Sequence, residues 1–315
     1  MRTNSKSATL GIEAVAQRSG VSQHLIRVWE RRYAAVRPAR TDSNRRLYSE
    51  DDALRLELLN RVVHAGHRIS DIANLPTAKL EQLLNSASQS YRAAARTAVS
   101  DASSYVNAAL TAIERFDAEE LTTVLARADV DYGQSRALES VIMPLMERIG
   151  TSWQDGDLRI AHEHMATAVV THHVGSILAN FRFQSVAPIV VVATPIGQMH
   201  EAGALAVAVM AAVSGWRPIY LGPNLPAEEI AGVAIKSNAR AVALSLVYPA
   251  DDPKIPVELG RLKRLLPHNL SILIGGRAAR TYGAAIDDSE AVLIADVADL
   301  RKHLELIRAD GRKKR

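Results

Sequence analysis

The sequence predicts a multidomain protein in which a mainly helical first half precedes an α/β second half. Its 315 residues suffice for two domains or three small ones. Before about residue 180, apolar residues recur at helical spacing, and after residue 187 five short apolar runs alternate with helical segments. Strands and helices that alternate with short joins are typical of an open, doubly wound parallel sheet.

Charge is distributed unevenly along this chain. The net charge is +4, but residues 1–48 carry +7, the last eight residues carry +4, and the rest carries −7. A basic head on an acidic body indicates an anion-binding module joined to a second function. There is no cysteine, which excludes disulfides and cysteine-bound zinc, and neither a signal peptide nor a membrane span is recognisable. We therefore expect a cytoplasmic protein without membrane partners.

Residues 9–76 predict a winged helix-turn-helix. An apolar helical stripe ends at a turn containing Gly20, and Ser22 stands at the N-cap position of a second helix. Apolar residues return at Leu25, Val28 and Trp29, which leaves the other helix faces to basic and polar side chains. Two short helices joined by a glycine-containing turn form a helix-turn-helix.

The second of these helices and the segment after it carry the candidate DNA contacts. Such a helix enters the major groove, where guanidinium groups reach base edges or phosphates. The turn-rich basic segment 37–48 is predicted to form a hairpin wing on the flanking backbone. The alternative is a solvated basic helix pair. The candidate contacts are Gln23, His24, Arg27, Arg31, Arg32, Tyr33, Arg40, Arg45, Arg46 and Tyr48.

The motifs of this head resemble the MerR-type DNA-binding domain. The resemblance is carried by residues 20–22, 25–33, 37–38 and 46–52, and 64–72 fits the closing helix pair of that family. It implies a double-stranded DNA operator with dyad symmetry, bound by a homo-oligomer, either a dimer or a tetramer. Residues 77–105 lack the sustained heptads of a coiled coil, so we predict a linker with a helix fragment there.

The middle of the chain, residues 106–182, predicts a four-helix bundle with helices near 106–115, 118–128, 135–149 and 160–178. Trp153 lies between the third and fourth segments, and His162, Glu163 and His164 follow in succession. Residues two apart on a helix point to different sides, so the two histidines are not expected to chelate one zinc ion.

Residues 187–305 predict the α/β domain, with strands near 188–193, 218–222, 241–247, 271–276 and 291–295. Ligands of such sheets bind outside the carboxyl ends of the strands. His200 follows the first strand, Ser245 and Val247 end the third, and Gly275 and Gly276 follow the fourth. A Gly-x-Gly-x-x-Gly motif is absent, which disfavours a dinucleotide site. Taken alone, His200 is also compatible with a structural position at a helix N-terminus.

These three motifs resemble the cobalamin-binding module, which has a flavodoxin-like fold. They stand here as Gln198 to Gly203, Ser245 to Val247, and Gly275-Gly276. The resemblance implies that His200 is the axial cobalt ligand in place of the nucleotide base, whose tail descends beside Ser245 and the paired glycines. Two positions depart from the motif. Gln198 replaces the acidic residue that steers the histidine, which should lower ligand basicity, and Val247 replaces leucine.

The three parts together resemble the CarH/LitR-type cobalamin photoreceptor repressors. The resemblance implies adenosylcobalamin as the cofactor, with Trp153, Glu163 and His164 in the capping bundle near the adenosyl group. In that group the dark tetramer holds the operator and light releases it by breaking the cobalt–carbon bond. The family is a group of transcription regulators rather than enzymes.

One departure affects the light response. The photoreceptors usually carry histidine directly after the tryptophan, whereas this chain has Gln154, and His162 or His164 would have to substitute. A regulator that senses no light, or binds no cobalamin, is therefore the alternative function. An enzyme or corrinoid carrier would leave the basic head unexplained. The basic tail, residues 306–315, is compatible with DNA contact or with a solvated end.

Overall fold

The computed structural model describes residues 9–41, 44–64, 67–85 and 102–313. The chain forms two compact units, which divide between Val169 and Val170. The first is helical apart from a small hairpin, and the second contains a parallel sheet. The predicted fold class is confirmed. Among the described residues, no helix is both long and apolar enough to cross a membrane.

The head is a winged helix-turn-helix, as predicted. Ser22 Oγ accepts a hydrogen bond from the Leu25 N–H at 3.3 Å, which is the expected N-cap. The wing is an antiparallel pair in which Ala39 lies opposite Leu47. The elements are α1 (Ile12–Ser19), α2 (Gln23–Tyr33), β1 (Ala39–Arg40), β2 (Arg46–Leu47), α3 (Glu50–His64), α4 (Ile69–Ile72) and α5 (Thr77–Asn85).

Helix α5 extends the head into the segment predicted as a linker. Leu80 is fully buried in the core that Trp29 and Leu56 also share, and Leu83 and Leu84 pack against it. Leucines three and four residues apart form the apolar stripe of a helix, a signal that the polar residues after it obscure. The other end of the predicted linker, from residue 102, is helical as well, and 86–101 lie outside the described residues.

Four helical segments follow the head. The helix α6 covers 102–114 within the described residues. The second segment is α7 (Ala118–Tyr132). The third runs without a break through α8 (Gln134–Ala137), a π-helical turn (Leu138–Ile142) and α9 (Met143–Gln154), and the fourth is α10 (Ile160–Ala179). Asp117 caps α7 by accepting from the Glu120 N–H at 2.9 Å. Arg148 of α9 donates to Asn107 of α6 at 2.9 Å, which joins two of the segments.

The second unit contains five parallel strands in the order β4-β3-β5-β6-β7. The chain runs from β3 to β4 on one side and returns to β5 on the other, so the loops after β3 and β5 flank the point where ligands bind in such sheets. The elements are β3 (Ile189–Ala193), α11 (Ala202–Val213), β4 (Arg217–Tyr220), α12 (Ala227–Lys236), β5 (Ala241–Ser245), α13 (Lys254–Leu265), β6 (Ser271–Gly275), α14 (Gly283–Asp288), β7 (Val292–Leu293) and α15 (Val297–Lys313).

The sequence predicts a separate basic tail at residues 306–315, and the structure differs from this prediction. Helix α15 continues through residue 313, and Arg308 Nη2 donates to the Gly215 carbonyl oxygen at 2.6 Å. The guanidinium thereby binds the backbone just after the C-terminus of α11, and Leu304, which lies on α15 like Arg308, is buried. Most of the described tail is therefore part of the α/β unit.

Candidate functional site

The recognition helix α2 separates its side chains by face. Leu25, Ile26 and Trp29 are buried in the head. His24, Arg27, Arg31 and Arg32 are exposed. Because Arg27 and Arg31 are four residues apart, they lie one turn apart on the same face. The exposed side of α2 thus carries three arginines, as suits a helix that enters the major groove.

The wing is fixed to α2 by an ion pair. Arg46 Nε lies 2.7 Å from Glu30 Oε2, with both groups partly buried. Arg40 and Arg45 are exposed on the hairpin, and the Arg40 guanidinium donates to Asn44 Oδ1 at 2.6 Å. The hairpin therefore keeps two cations at the surface while a third holds it in place.

Tyr48 corrects the set of DNA contacts drawn from the sequence. Its side chain is fully buried and its hydroxyl donates to Glu30 Oε2 at 3.4 Å. Burial, with the neighbouring Glu30 carboxylate, raises the pKa of Tyr48 to about 12. A tyrosine enclosed in this way packs the wing and cannot reach a phosphate, a difference that a turn-rich basic segment does not reveal.

Tyr33, at the end of α2, connects the head to the helical segments. It is half-buried, and its hydroxyl donates to Asp131 Oδ1 at 3.3 Å. Burial raises the pKa of the Tyr33 phenol, and the Asp131 charge adds to the shift. Tyr105 donates to the other oxygen of the same carboxylate. Gln23 at the start of α2 is half-buried.

His200 lies at the carboxyl edge of the sheet, on the loop between β3 and α11. The imidazole is half-buried and meets the Tyr248 ring edge-on, with the ring centroids 5.9 Å apart and an interplanar angle of 84°. Met199 and Tyr248 are 62% and 42% exposed, although both are large and apolar. The histidine thus stands beside an apolar surface that faces outward.

The remaining motif residues converge on the same edge. A Cβ atom at Gly203 would lie 2.8 Å from Ser245 Oγ, so α11 approaches the end of β5 as closely as glycine permits. Ser245 is buried and pairs in register with Gly275. Gly276 has φ +102°, and a Cβ there would lie 2.3 Å from the Leu246 carbonyl oxygen. The sheet therefore brings together residues that are 76 positions apart, from His200 to Gly276.

Gln198 does not occupy the role expected from the sequence. It is fully buried, and its carbonyl oxygen accepts from the N–H groups of Val247 at 2.8 Å and Tyr248 at 3.0 Å. Its amide nitrogen donates to the Pro249 carbonyl oxygen at 3.0 Å. Both acceptor positions of the oxygen are occupied by the loop after β5, so they do not serve to steer His200.

The candidate residues of the helical segments flank the turn between α9 and α10. Trp153 is half-buried near the end of α9. The Glu163 side chain is 15% exposed and accepts from the Thr167 hydroxyl at 2.8 Å, whereas His164 is 75% exposed with its Nε2 3.6 Å from Glu163 Oε2. His162 has a structural role. Its Nδ1 accepts from the Arg159 N–H at 3.1 Å and its ring stacks on Phe116.

Known families match all three parts of the chain. Residues 10–79 match the MerR HTH family of regulatory proteins, and residues 105–177 and 188–298 each match a B12 binding domain. The HTH-type transcriptional repressor CarH of Myxococcus xanthus is 30% identical over 291 residues, which cover 89% of this chain and 92% of that protein. The chain belongs to the CarH family.

Two other proteins are similar at lower identity. The HTH-type transcriptional repressor CarA of Myxococcus xanthus is 25% identical over 282 residues, covering 88% of this chain and 90% of its own. The monomethylamine corrinoid protein of Methanosarcina barkeri has a solved structure with a TM-score of 0.49 and 15% identity, covering 62% of this chain and 95% of that one.

The sheet edge of this CarH family member fits the cobalamin that its B12 binding domains imply. Imidazole nitrogen is a good ligand for cobalt and similar metals. Among the described residues, no group of three histidine or carboxylate side chains is arranged to hold a metal ion by itself. A single half-buried imidazole beside exposed apolar side chains suits a metal that arrives with four ligands of its own in a large flat ring.

Proposed function

We propose that this protein is a transcriptional repressor whose affinity for operator DNA is controlled by adenosylcobalamin. One observation carries the proposal. A helix with an exposed cationic face and a half-buried histidine at the edge of a parallel sheet belong to one chain of the CarH family. The first binds DNA and the second binds a metal macrocycle, and a protein that joins them can transmit the state of one ligand to the other. The protein is a binding protein rather than an enzyme.

The DNA surface consists of the exposed face of α2 and the wing. Arg27, Arg31 and Arg32 with His24 enter the major groove, and Arg40 and Arg45 contact the flanking phosphates. Arg46 contributes to the electrostatic potential of this DNA surface while its guanidinium remains paired with Glu30. Gln23 and Tyr33 lie at the two ends of the helix. Because the family pairs such heads by two-fold symmetry, we propose a homo-oligomer, either a dimer or a tetramer, on an operator with dyad symmetry.

In the cobalamin site, His200 would bind the cobalt through its imidazole, a good ligand for this metal. Ser245, which Gly203 approaches closely, would hold the nucleotide tail together with Val247, Gly275 and Gly276. Trp153, Glu163 and His164 are the residues that would bind the adenosyl group. When bound, adenosylcobalamin would supply a cobalt–carbon bond that light can break. The protein's part is to bind DNA with different affinity in the dark and illuminated states.

The experiment combines operator selection with controlled illumination. The purified full-length protein selects its operator from a random duplex library, and fluorescence anisotropy then measures its affinity without cobalamin, with adenosylcobalamin in the dark, and after illumination. We expect affinity in the dark to be about 5- to 150-fold tighter with adenosylcobalamin, a typical coupling between two sites. Equal affinities with and without the cofactor would overturn the proposal.

A light-insensitive or cobalamin-independent regulator is the second candidate, and one observation favours it. Gln154, exposed at the end of α9, is an amide where the photoreceptors usually have a histidine, and His162 is committed to the start of α10. If adenosylcobalamin changes DNA affinity and illumination does not, the regulator senses the cofactor alone. If neither changes it, the sheet serves another ligand or a protein partner.

A further inference from the structure

The loop after β5 is held from two sides. On one side, the buried Gln198 amide makes its three hydrogen bonds to the backbone of residues 247–249. On the other, the Tyr282 hydroxyl donates to the Pro249 carbonyl oxygen at 3.3 Å and accepts from the Asp252 N–H at 2.7 Å. Pro249 therefore accepts from both sides. The loop is a fixed part of the sheet edge rather than a loose connection.

The segment that carries Gln198 is itself fixed to its neighbours. Asn224 Oδ1 accepts from the Gly197 N–H at 2.8 Å, and the Asn224 N–H donates to Thr194 Oγ1 at 2.9 Å. The Thr194 hydroxyl in turn donates to the Gln198 carbonyl oxygen of the main chain. The backbone at residue 198, two residues before His200, is thus held rigidly. The Gln198 side chain joins the loop after β5 to this rigid backbone.

We propose that Gln198 is a positioning residue, which holds the loop 247–249 and with it the Tyr248 ring against the imidazole of His200. This inference rests on the proposed function of His200 as the cobalt ligand. Residue 198 then acts on the ligand through the packing of Tyr248, where the module's usual acidic residue acts through a hydrogen bond. The edge-on ring limits the rotation of the imidazole and shields one side of it from water.

The pattern of hydrogen bonds suits a neutral amide at this position. Two N–H groups and one carbonyl group converge on the side chain, and an amide accepts from the first two and donates to the third, which an ionised carboxylate cannot do. A glutamate would keep the two N–H partners but would place a carboxylate oxygen against the Pro249 carbonyl oxygen, in a fully buried position. Repulsion and desolvation would then displace the loop.

The effect of Gln198→Glu on cobalamin affinity distinguishes a positioning role from direct steering of His200. If residue 198 steered His200 directly, a carboxylate would raise the basicity of the imidazole and tighten cobalamin binding. If it positions the loop, the same substitution weakens binding. The two roles therefore predict opposite changes in one dissociation constant.

The experiment uses the full-length protein and aquocobalamin, with binding followed by visible absorbance, which also reports whether a nitrogen base coordinates cobalt. We expect Gln198→Glu and the length-matched Gln198→Met to weaken binding about 10- to 100-fold, as substitutions behind a metal ligand do. Tyr248→Ala should weaken it by about 2- to 10-fold, the contribution of one edge-to-face ring contact, and Tyr248→Phe should match the wild type. Tighter binding by Gln198→Glu, or unchanged binding by Tyr248→Ala, would overturn the inference.

Hydrogen exchange in the cobalamin-free protein tests the same inference without the ligand. In Gln198→Met, the amides of Val247 and Tyr248 should exchange about tenfold faster or more, while Leu246, whose N–H bonds to Gly275 in the sheet, stays protected. Unchanged exchange at both loop amides would overturn the positioning role. If the wild type binds no cobalamin, or His200→Ala binds it with the same absorbance spectrum, the proposed function of His200 fails, and the exchange result still decides the role of Gln198 in the loop.

Discussion

The head and the sheet edge present their functional groups in opposite ways. In the head, the cationic side chains of α2 project from one face of a regular helix, and the opposite face is buried. At the sheet edge, His200 lies on a loop, and the buried side chain of nearby Gln198 makes three hydrogen bonds to the loop after β5. Periodicity determines what the helix displays, whereas the meeting of distant chain segments determines what the sheet edge displays.

The two regions should therefore differ in mutational sensitivity. Exposed side chains of α2 can be removed without disturbing the packing beneath them, so their substitution reports on DNA binding alone. At the sheet edge, binding residues and packing residues are the same or adjacent, as the approach of Gly203 to Ser245 illustrates. Substitutions there are expected to change stability and ligand affinity together.

The largest effect is expected from the arginines of α2. The triple substitution of Arg27, Arg31 and Arg32 by Ala should cost about 1–3 kcal/mol of DNA-binding free energy per residue. It should also lower the slope of log affinity against log salt by about 0.9 for each phosphate that the variant no longer neutralises. Alanine preserves the helix, so the thermal midpoint should hold. Fluorescence anisotropy across a salt series measures the effect.

The matched control is Arg127→Ala, which removes an exposed arginine from α7. Its DNA affinity and salt slope should equal those of the wild type. An equal loss per charge removed in the control and in the triple variant would mean that net charge, rather than the exposed face of α2, determines DNA binding.

The next effect tests the sheet edge. Gly276→Ala should destabilise the second unit by about 1–3 kcal/mol or more, since backbone at φ +102° strains any side chain and the new Cβ meets the Leu246 carbonyl oxygen. Cobalamin affinity should fall with it.

Gly232→Ala is the control within helix α12, where an added Cβ meets nothing within 4 Å. It should stabilise the unit by about 0.5–1 kcal/mol. Urea unfolding measures both, and equal stabilities of the two variants would contradict the role of Gly276.

The same contrast explains how much the sequence could predict. The N-cap at Ser22, the cationic face of α2 and the five parallel strands follow from spacing and residue type, which are local properties. The convergence of the three loop motifs at one sheet edge follows from parallel topology. What could not be predicted depends on tertiary contacts. Gln198 bonds to residues 49 to 51 positions away, and Leu80 is buried by helices that precede it by tens of residues.

Tyr48 is the clearest example of a residue whose role the sequence does not reveal, because it lies in the basic wing but packs in the core of the head. Tyr48→Phe should leave DNA affinity unchanged, in contrast to the α2 arginines. The substitution should instead alter the pH dependence of stability. Burial holds the pKa of Tyr48 at about 12 in the folded head, against an ordinary value of 10.0. Between these values the unfolded chain ionises while the folded head keeps its proton, so the contribution is complete below pH 10 and is lost as pH rises through 12.

At pH 11 this difference amounts to about 1 kcal/mol of unfolding free energy, which Tyr48→Phe should not lose. Urea unfolding at pH 8 and pH 11, for the wild type and for Tyr48→Phe, isolates the contribution, since the other tyrosines titrate in both proteins. A smaller loss in the variant is the expected result. If instead the two proteins lose the same free energy of unfolding and the variant binds DNA more weakly, Tyr48 belongs to the surface that contacts DNA. The wing would then contact DNA through Tyr48 as well as through its exposed arginines.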